Sequence, residues 1–296
     1  MDSIRFNTST LGYKLLSGNF KKHSEQLNKF LSGLFDADGC IRVNFDKRGY
    51  TSLEWKLAQS SITDTDFEML RGLFNFYKKG NLYYYIPSDE KKSPVCEWRA
   101  SNTDAIYMCS HLKKHSRIKA THMDNMEWLY LELKGKKLLE NQIEELKEYS
   151  ECSRKNSSWF KYPKHPSWSW LTGILAGDGS FIFKQKIRQF RNGMYPSNDL
   201  NVKLTGHEDD IICYEFIKKA LGGNVSRYKG NKGVYWRKSL GRGSEKFALP
   251  FLYKMRQYMC LKKKYNTIQR MIDFHESNRQ QRLKYKDLNK VSDSPN

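Results

Sequence analysis

The chain repeats itself, and this internal repeat limits the folds it can adopt more than any other feature. Residues 31–41 read LSGLFDADGCI and residues 171–181 read LTGILAGDGSF. Aligning the two stretches pairs Gly33 with Gly173 and Asp38 with Asp178. The segments that follow each stretch also correspond in order, so the chain is predicted to fold as two similar units.

Each copy continues with the same order of predicted elements. The stretches IRVNF and LEWKLAQ follow the first copy, and FIFKQK and LNVKLTG follow the second. All four alternate apolar with polar residues, as strands with one buried face do. A helix with acids near its start comes next in each copy, then strands ending in CEWRAS and VYWRKS, then a basic segment and a last helix. The predicted class is α+β, with the order helix, two strands, helix, two strands, helix occurring twice.

Composition shifts divide the chain into five predicted segments. A Ser-, Lys- and Pro-containing stretch between the copies is typical of a linker, and the C-terminal end is polar enough to fray. The segments are an N-terminal extension at 1–24, a first repeat at 25–150, a linker at 151–166, a second repeat at 167–276 and a tail at 277–296.

The net charge predicts a polyanionic partner. The 52 Lys and Arg residues against 32 Asp and Glu residues give a formal net charge of +20 at pH 7. Such an excess repels itself, and its commonest use is to bind nucleic acid. Hydrophobic residues make up 39% of the chain, which is enough for a packed core and excludes a disordered basic tail. We expect no membrane span, no signal peptide and no cysteine-based zinc site.

The acids that end each motif require an explanation, because helix C-termini carry partial negative charge. The small residues before them allow two helix backbones to approach closely, and the natural partner of each motif helix is the other copy. This packing would bring Asp38 and Asp178 together. Two close carboxylates repel, and a divalent cation held by their oxygens relieves the repulsion. In a basic protein such a cation would lie against phosphate, as in metal-dependent phosphodiester hydrolysis.

The stretches LSGLFDADG and LTGILAGDG resemble the paired signature motifs of LAGLIDADG homing endonucleases in their single-chain form. The resemblance covers roughly residues 25 to 275. It implies two pseudo-symmetric αββαββα repeats, whose antiparallel sheets form a DNA-binding saddle and whose motif helices form the interface. It also implies a monomeric nuclease that cuts both strands of a long, asymmetric DNA target and leaves 3′ overhangs. The implied cofactor is Mg²⁺, or another divalent cation such as Mn²⁺ or Ca²⁺.

The resemblance also implies roles for particular residues. The motif acids Asp38 and Asp178 would bind metal, and Ala37 and Gly177 would contribute backbone carbonyls. The sixth motif position holds Asp36 in the first copy but an alanine in the second, so it cannot be a symmetric ligand.

The implied solvent-positioning residues differ between the copies. The family carries a polar residue at the end of the second strand and a lysine ahead of the last helix, here Gln59 and Lys119. In the second copy Gly206 aligns with Gln59, and both Lys262 and Lys263 are candidates for the lysine. One DNA strand would then be cut more slowly. Gln59 shares strand parity with apolar neighbours, so we expect it past the strand end or at a bulge.

Outward-facing strand residues are the candidate DNA contacts, because a two-stranded β-ribbon fits the major groove. Arginine matches guanine and asparagine matches adenine, whereas lysine can equally hold phosphates. The candidates are Arg42, Asn44, Lys56, Arg99, Lys184, Lys186, Lys203 and Arg237. Trp98 and Trp236 alternate with two of these arginines and are predicted to be core residues.

Two alternatives to a nuclease remain open at this stage. One is an RNA maturase, in which the same fold binds intron RNA and assists splicing. The other is a DNA-binding regulator that has lost catalysis, which Gly206 favours slightly. The many Lys, Asn and Tyr residues are typical of AT-rich coding, so we expect an intracellular protein of an organelle, either mitochondrion or chloroplast, or of a phage.

Overall fold

A computed structural model describes residues 24–60, 64–89, 93–155, 165–190, 193–230, 232–241 and 244–292. The first repeat consists of α1 (Ser24–Asp38), β1 (Gly39–Phe45), β2 (Thr51–Ser60), α2 (Asp64–Tyr77), β3 (Asn81–Tyr85), β4 (Val95–Ser101), α3 (Thr103–Leu112) and α4 (Ala120–Leu133). Helix α5 (Glu140–Lys155) follows the first repeat. The second repeat consists of α6 (Trp168–Gly177), β5 (Gly179–Phe190), β6 (Gly193–His207), a 3₁₀ turn (Glu208–Asp210), α7 (Ile211–Leu221), β7 (Asn224–Arg227), β8 (Gly233–Ser239), α8 (Glu245–Tyr258) and α9 (Lys262–Ser292).

Each repeat contains one four-stranded antiparallel sheet. The strand orders are β1-β2-β4-β3 and β5-β6-β8-β7, which are the same order in the two copies. The register is also the same, since Leu57 lies between Gly39 and Trp98 as Leu204 lies between Gly179 and Trp236. The predicted α+β class and its two pseudo-symmetric repeats are therefore confirmed. The structure differs in having two helices, rather than one, after the last strand of each repeat.

The core of each repeat lies between one face of its sheet and the surrounding helices. In β2 the residues Leu53, Trp55 and Leu57 are fully buried, while the residues between them are partly exposed. Trp98 and Trp236 are also fully buried, as predicted. Strand alternation therefore separates an apolar face that builds the core from a polar face that is left for function.

The two repeats join along α1 and α6, which pack backbone against backbone. An ideal Cβ on Gly33 would lie 2.0 Å from the carbonyl oxygen of Trp170, and one on Gly173 would lie 2.0 Å from that of Phe30. No side chain larger than hydrogen fits at either point, because the opposing atoms belong to the backbone. The small residues of both motifs are thus explained by this close helix contact.

The predicted segment boundaries remain a prediction. Residues 1–23, which make up nearly all of the predicted N-terminal extension, and residues 156–164 of the predicted linker lie outside the described residues. Helix α9 continues through the boundary predicted between residues 276 and 277, as far as Ser292. None of the helices in the described ranges is both long and apolar enough to cross a membrane.

Candidate active site

The two motif acids meet where α1 and α6 end. Asp38 is the last residue of α1, and Asp178 caps α6 through a backbone hydrogen bond to Ile174. An ideal Cβ on Gly177 would lie 2.7 Å from Asp38 Oδ2, so the Asp38 carboxylate packs against the backbone of the other motif. The structure thus brings together the carboxylates that the sequence predicted to be neighbours.

The environment of the two acids disfavours their charge. Burial, and after it the nearby charge of Asp178, raises the pKa of Asp38 to about 6. Burial also raises the pKa of Asp178. A pair of carboxylates in this position favours a cation, because a bound cation removes both the repulsion and part of the desolvation penalty.

Gln59 contacts the first acid directly. Its Nε2 donates to Asp38 Oδ2 over 2.7 Å, and the side chain is buried. The residue lies inside β2, paired with Cys96, rather than past the strand end or at a bulge as expected. Gln59 lies on the apolar face of the sheet, and it still reaches Asp38 because this face ends beside the C-terminus of α1.

Lys119 closes the end of the first motif helix. It is the residue that precedes α4, and its side chain is buried. Its Nζ donates to three backbone carbonyls of the first motif and the following strand: Phe35 at 2.8 Å, Ala37 at 3.1 Å and Gly39 at 2.7 Å. A cation here balances the partial negative charge of the helix C-terminus as well as the acids.

The corresponding lysine of the second repeat is Lys264, not Lys262 or Lys263. Its Nζ donates to three carbonyls of the second motif: Leu175 at 2.9 Å, Ala176 at 2.6 Å and Gly177 at 2.9 Å. Lys262 and Lys263 are exposed on the first turn of α9. The sequence analysis overlooked Lys264 because it sought a lysine ahead of the last helix, and α9 begins two residues before Lys264.

The number of residues between the lysine and the buried residues of the following helix identifies the correct lysine. Met123 and Met126 lie four and seven residues after Lys119, and both are fully buried. Ile268 and Met271 lie at the same spacings after Lys264, and they are also fully buried. Residues at these spacings share one helix face, so counting back from the buried face selects Lys264.

The two lysines act across the pseudo-symmetry axis. Burial is the largest influence on the pKa of both acids, and the lysine charges oppose it. For Asp38 the stronger of the two opposing charges is Lys264, and for Asp178 it is Lys119. Each acid is thus influenced more by the lysine of the other repeat, which makes the site a single unit built from both copies.

Asp36 has a structural position that the sequence did not reveal. Its carboxylate accepts hydrogen bonds from the Ser116 hydroxyl, from the backbone N–H groups of Arg117 at 2.7 Å and Lys119 at 3.1 Å, and from Trp170 Nε1 at 2.9 Å. These bonds fix the turn before α4 and connect it to α6 of the second repeat. Asp36 therefore positions the backbone of Lys119 and holds the two repeats together.

The candidate DNA contacts of the first repeat lie on the polar sheet face and are held by acids. Arg42 Nε donates to Glu54 Oε2 over 2.7 Å, and Asn44 Nδ2 donates to the same oxygen over 3.3 Å. Lys56 is 2.5 Å from a carboxylate oxygen of the buried Glu97, which also pairs with Arg99. These pairs fix the direction of the basic side chains.

The second repeat holds its basic side chains partly with aromatic rings. Lys203 Nζ lies 4.8 and 4.4 Å from the ring centres of Tyr228 and Tyr235. Arg237 Nε donates to Asn201 Oδ1 over 3.1 Å, and its guanidinium is 3.5 Å from Asp199. Cation–π contacts of this kind orient a charge without neutralising it.

Two further candidates lie on β5. Lys184 is exposed and is paired in register with Asp199. Lys186 belongs to the same strand, but its side chain lies outside the described residues. Five of the eight candidates therefore already have partners of opposite charge or hydrogen-bonding partners on the sheet: Arg42, Asn44, Lys56, Arg99 and Arg237.

The residues at the acid pair fit a divalent cation that is shared with a phosphate. Among the described residues no group of three or more His, Cys, Asp or Glu side chains could form a metal cage. Asp38 and Asp178 instead supply two carboxylates. The neighbouring carbonyls of Ala37 and Gly177 accept from Lys119 and Lys264, and each keeps a second lone pair. Mg²⁺ commonly binds through one or two carboxylates together with substrate phosphates, which matches this donor set.

Solved structures with the same fold include several DNA complexes. The I-SmaMI LAGLIDADG homing endonuclease bound to cleaved DNA is 17% identical, with a TM-score of 0.64 over 93% of this chain and 96% of that one. The meganuclease I-AabMI bound to uncleaved DNA is 17% identical, with a TM-score of 0.65 over 86% and 92%. The homing endonuclease I-GzeII in complex with its DNA target is 15% identical, with a TM-score of 0.59 over 91% and 98%. At these identities the likeness shows the fold alone.

Sequence comparison with curated proteins gives no significant match. The family model described as LAGLIDADG endonuclease matches residues 31–130 and 171–275, which is one segment in each repeat and more than half of the chain. Both matched segments begin within a motif helix and include the acid at its C-terminal end. The chain therefore belongs to the LAGLIDADG endonuclease family.

Proposed function

We propose that this protein is a monomeric, site-specific DNA endonuclease that hydrolyses both strands of a long, asymmetric target and leaves 3′ overhangs. The observation that carries the proposal is the meeting of Asp38 and Asp178 at the ends of two packed helices, between the two sheets. Nothing in the folding of α1 and α6 requires acids there, because burial and repulsion raise the pKa of Asp38. Burying two neighbouring carboxylates destabilises the fold, and a function that uses their charge explains why they are present.

The acid pair supports metal-dependent chemistry. Asp38 and Asp178, with the carbonyls of Ala37 and Gly177, would hold Mg²⁺, or Mn²⁺ or Ca²⁺ in its place. Such an ion, when bound, polarises a phosphoryl oxygen and makes a water molecule more acidic.

The remaining side chains of the site have roles that follow from their contacts. Gln59 orients the Asp38 carboxylate, and its amide oxygen can accept a hydrogen bond from a water molecule beside it. Lys119 and Lys264 place two positive charges next to the acids, where they would attract the phosphates of bound DNA and oppose the charge that develops in the transition state.

The polar sheet faces support DNA recognition. Arginine and asparagine side chains held by acids are oriented before DNA arrives, which lowers the entropy lost on binding. The repeats carry different side chains at matching positions, so an asymmetric target fits them better than a palindrome. A second copy of the chain is unnecessary, since one chain supplies both halves of the site.

The second candidate function is a DNA-binding regulator without catalysis. The observation that favours it is Gly206, which supplies no side chain where the first repeat has Gln59. Retention of both acids and of a carbonyl-bound lysine in each repeat favours the nuclease.

Cleavage selection on a randomised DNA library, with Mg²⁺ and with EDTA, tests the proposal and reports the target. We expect cutting only with Mg²⁺, and no detectable cutting by Asp38→Asn or Asp178→Asn. The matched control is Asp124→Asn, which removes an exposed acid on α4 that pairs with Lys113 and should leave cutting unchanged. Cutting by either motif variant would refute the assigned site. Tight binding of a selected DNA without cutting would favour the regulator, and tight binding of intron RNA without DNA cutting would favour a maturase.

A further inference from the structure

The two halves of the candidate site are not equivalent at the position of Gln59. Gln59 pairs with Cys96 on β4, and Gly206 pairs with Val234 on β8. The two residues therefore occupy matching positions in the two sheets. The first half thus has an amide beside its acid, whereas the second half has no side chain at the matching point. The space beside Gly206 is therefore open to a group from another element.

The hydroxyl of Tyr214 fills that space. An ideal Cβ built on Gly206 would lie 2.2 Å from Tyr214 Oη and 3.2 Å from Tyr214 Cζ. The hydroxyl therefore occupies the point at which a side chain like that of Gln59 would begin. Any larger residue at 206 would displace the tyrosine, so the glycine and the tyrosine depend on each other.

The first repeat shows the opposite combination. The buried positions of α2 are 67, 69, 70, 72, 73 and 77, and those of α7 are 213, 214, 216 and 217. The pattern of two adjacent pairs separated by one residue occurs in both helices and aligns Leu70 with Tyr214. Leu70 is fully buried and carries no polar atom. The first repeat thus combines a glutamine on the strand with a leucine on the helix, and the second combines a glycine with a tyrosine. A polar group is kept near the acid in both cases.

The Tyr214 hydroxyl is held in the core near Asp178. Its side chain is 1% exposed, so the ring has a single place in the core. Burial raises the pKa of the Tyr214 hydroxyl well above its usual value, and the nearby charges of Asp178 and Asp210 add to this effect. Thr205, next to Gly206 on β6, donates from its hydroxyl to the carbonyl of Asp178 over 3.4 Å, which ties this strand to the end of α6.

We propose that Tyr214 is the solvent-positioning residue of the second half-site, in place of a glutamine. The inference rests on the nuclease function proposed above. A hydroxyl both donates and accepts a hydrogen bond, as an amide side chain does. Because the hydroxyl lies where the glutamine side chain would only begin, it is set back from the carboxylate, and it acts through a water molecule between them. The two half-sites then use different groups to order water beside their acids.

Strand-resolved cleavage by Tyr214→Phe tests this proposal, because phenylalanine keeps the ring and removes only the hydroxyl. Single-turnover rates are measured for each strand of the selected duplex with a separate end label. We expect one strand to be cut about three- to tenfold more slowly, the range for loss of one hydrogen bond, and the other strand to be cut at its original rate. Affinity for the duplex in EDTA should not change.

The matched control is Tyr77→Phe in the first repeat, which removes a buried hydroxyl that donates to Asn28 Oδ1 over 2.5 Å. This variant should lose stability without changing the ratio of the two strand rates. Equal slowing of both strands by Tyr214→Phe, or no slowing, would refute the positioning role and leave the hydroxyl as a packing group.

A rescue variant separates water positioning from packing. Gly206→Gln combined with Tyr214→Leu copies the arrangement of the first repeat into the second. We expect it to restore the slow strand toward its original rate, whereas Tyr214→Leu alone stays slow. If the double variant cuts the slow strand no faster than Tyr214→Leu alone, and melts at the same temperature as the parent, the proposed replacement of glutamine by tyrosine is contradicted.

The results distinguish this inference from the function beneath it. Loss of all cutting in Asp38→Asn and Asp178→Asn, with unchanged strand ratios in Tyr214→Phe, would refute only the tyrosine. Continued cutting in the aspartate variants would refute the nuclease site itself.

Discussion

Substituting Gly33 by alanine tests the helix contact on which the candidate site depends. The added methyl would lie 2.0 Å from the carbonyl oxygen of Trp170 and 2.8 Å from the amide nitrogen of Ile174. A carbon and a carbonyl oxygen normally approach to about 3.3 Å, so the methyl is about 1.3 Å too close. Both obstacles are backbone atoms of α6, so no rotamer change can relieve the overlap and the helices must separate.

The expected loss of stability follows from two opposing contributions. Alanine favours helix over glycine by about 1 kcal/mol. Overpacking that moves backbone costs about 1–3 kcal/mol, and a contact between two backbones belongs at the upper end of this range. The net effect is a loss of about 2 kcal/mol in the free energy of unfolding, or roughly 3 °C in melting temperature for a chain of this size. Gly173→Ala meets Phe30 in the same way and should cost a similar amount.

Urea and thermal unfolding in EDTA measure this loss without a contribution from metal binding. The control is Gly241→Ala, where the nearest atom to the new methyl would be Ser239 Oγ at 3.7 Å, an ordinary contact. This variant should be as stable as the parent or slightly more stable. Because separated helices also separate the acids, Gly33→Ala should cut DNA more slowly even where it is fully folded. A Gly33→Ala protein as stable as the Gly241→Ala control would refute the close packing of α1 and α6.

Three further predictions concern the site and the sheet faces. Lys264→Met should slow cutting by about a hundredfold, as loss of one charge-stabilising donor does, whereas Lys263→Met should cut normally; equal effects would refute the assignment of Lys264. Asp38→Asn should raise the free energy of unfolding in EDTA at pH 7 by up to about 3 kcal/mol, because the pKa of this carboxyl is raised from 3.8 to about 6 in the folded chain. The cost of its charge grows between these two pH values, so the gain should disappear below pH 4. A lower melting temperature of the variant at pH 7 would contradict the burial of this acid. Affinity for the selected duplex should fall linearly with salt concentration on logarithmic axes, with a slope that reports several phosphate contacts; a flat dependence would exclude a DNA-binding role for the basic sheet faces.

The sequence was sufficient for the architecture because local patterns encode it. Alternation of apolar and polar residues gave the strands of both sheets, and the duplicated motif gave two similar repeats with a contact between small-residue helices. The approach of Asp38 to Asp178 followed from that contact and from the matching position of each acid in its motif. These features depend on residue spacing within one helix or strand, which a sequence records directly.

The tertiary structure decided which side chains reach the acids. Lys264, rather than Lys262 or Lys263, reaches the motif carbonyls because packing of α9 fixes the rotation of its first turn. Asp36 joins the two repeats and Tyr214 fills the space above Gly206 through contacts between residues far apart in the chain. One residue of shift turns a helix by about 100°, so a side chain's direction depends on the rotation that long-range packing selects. The sequence therefore determined where the acids lie, and only the folded chain determined which groups surround them.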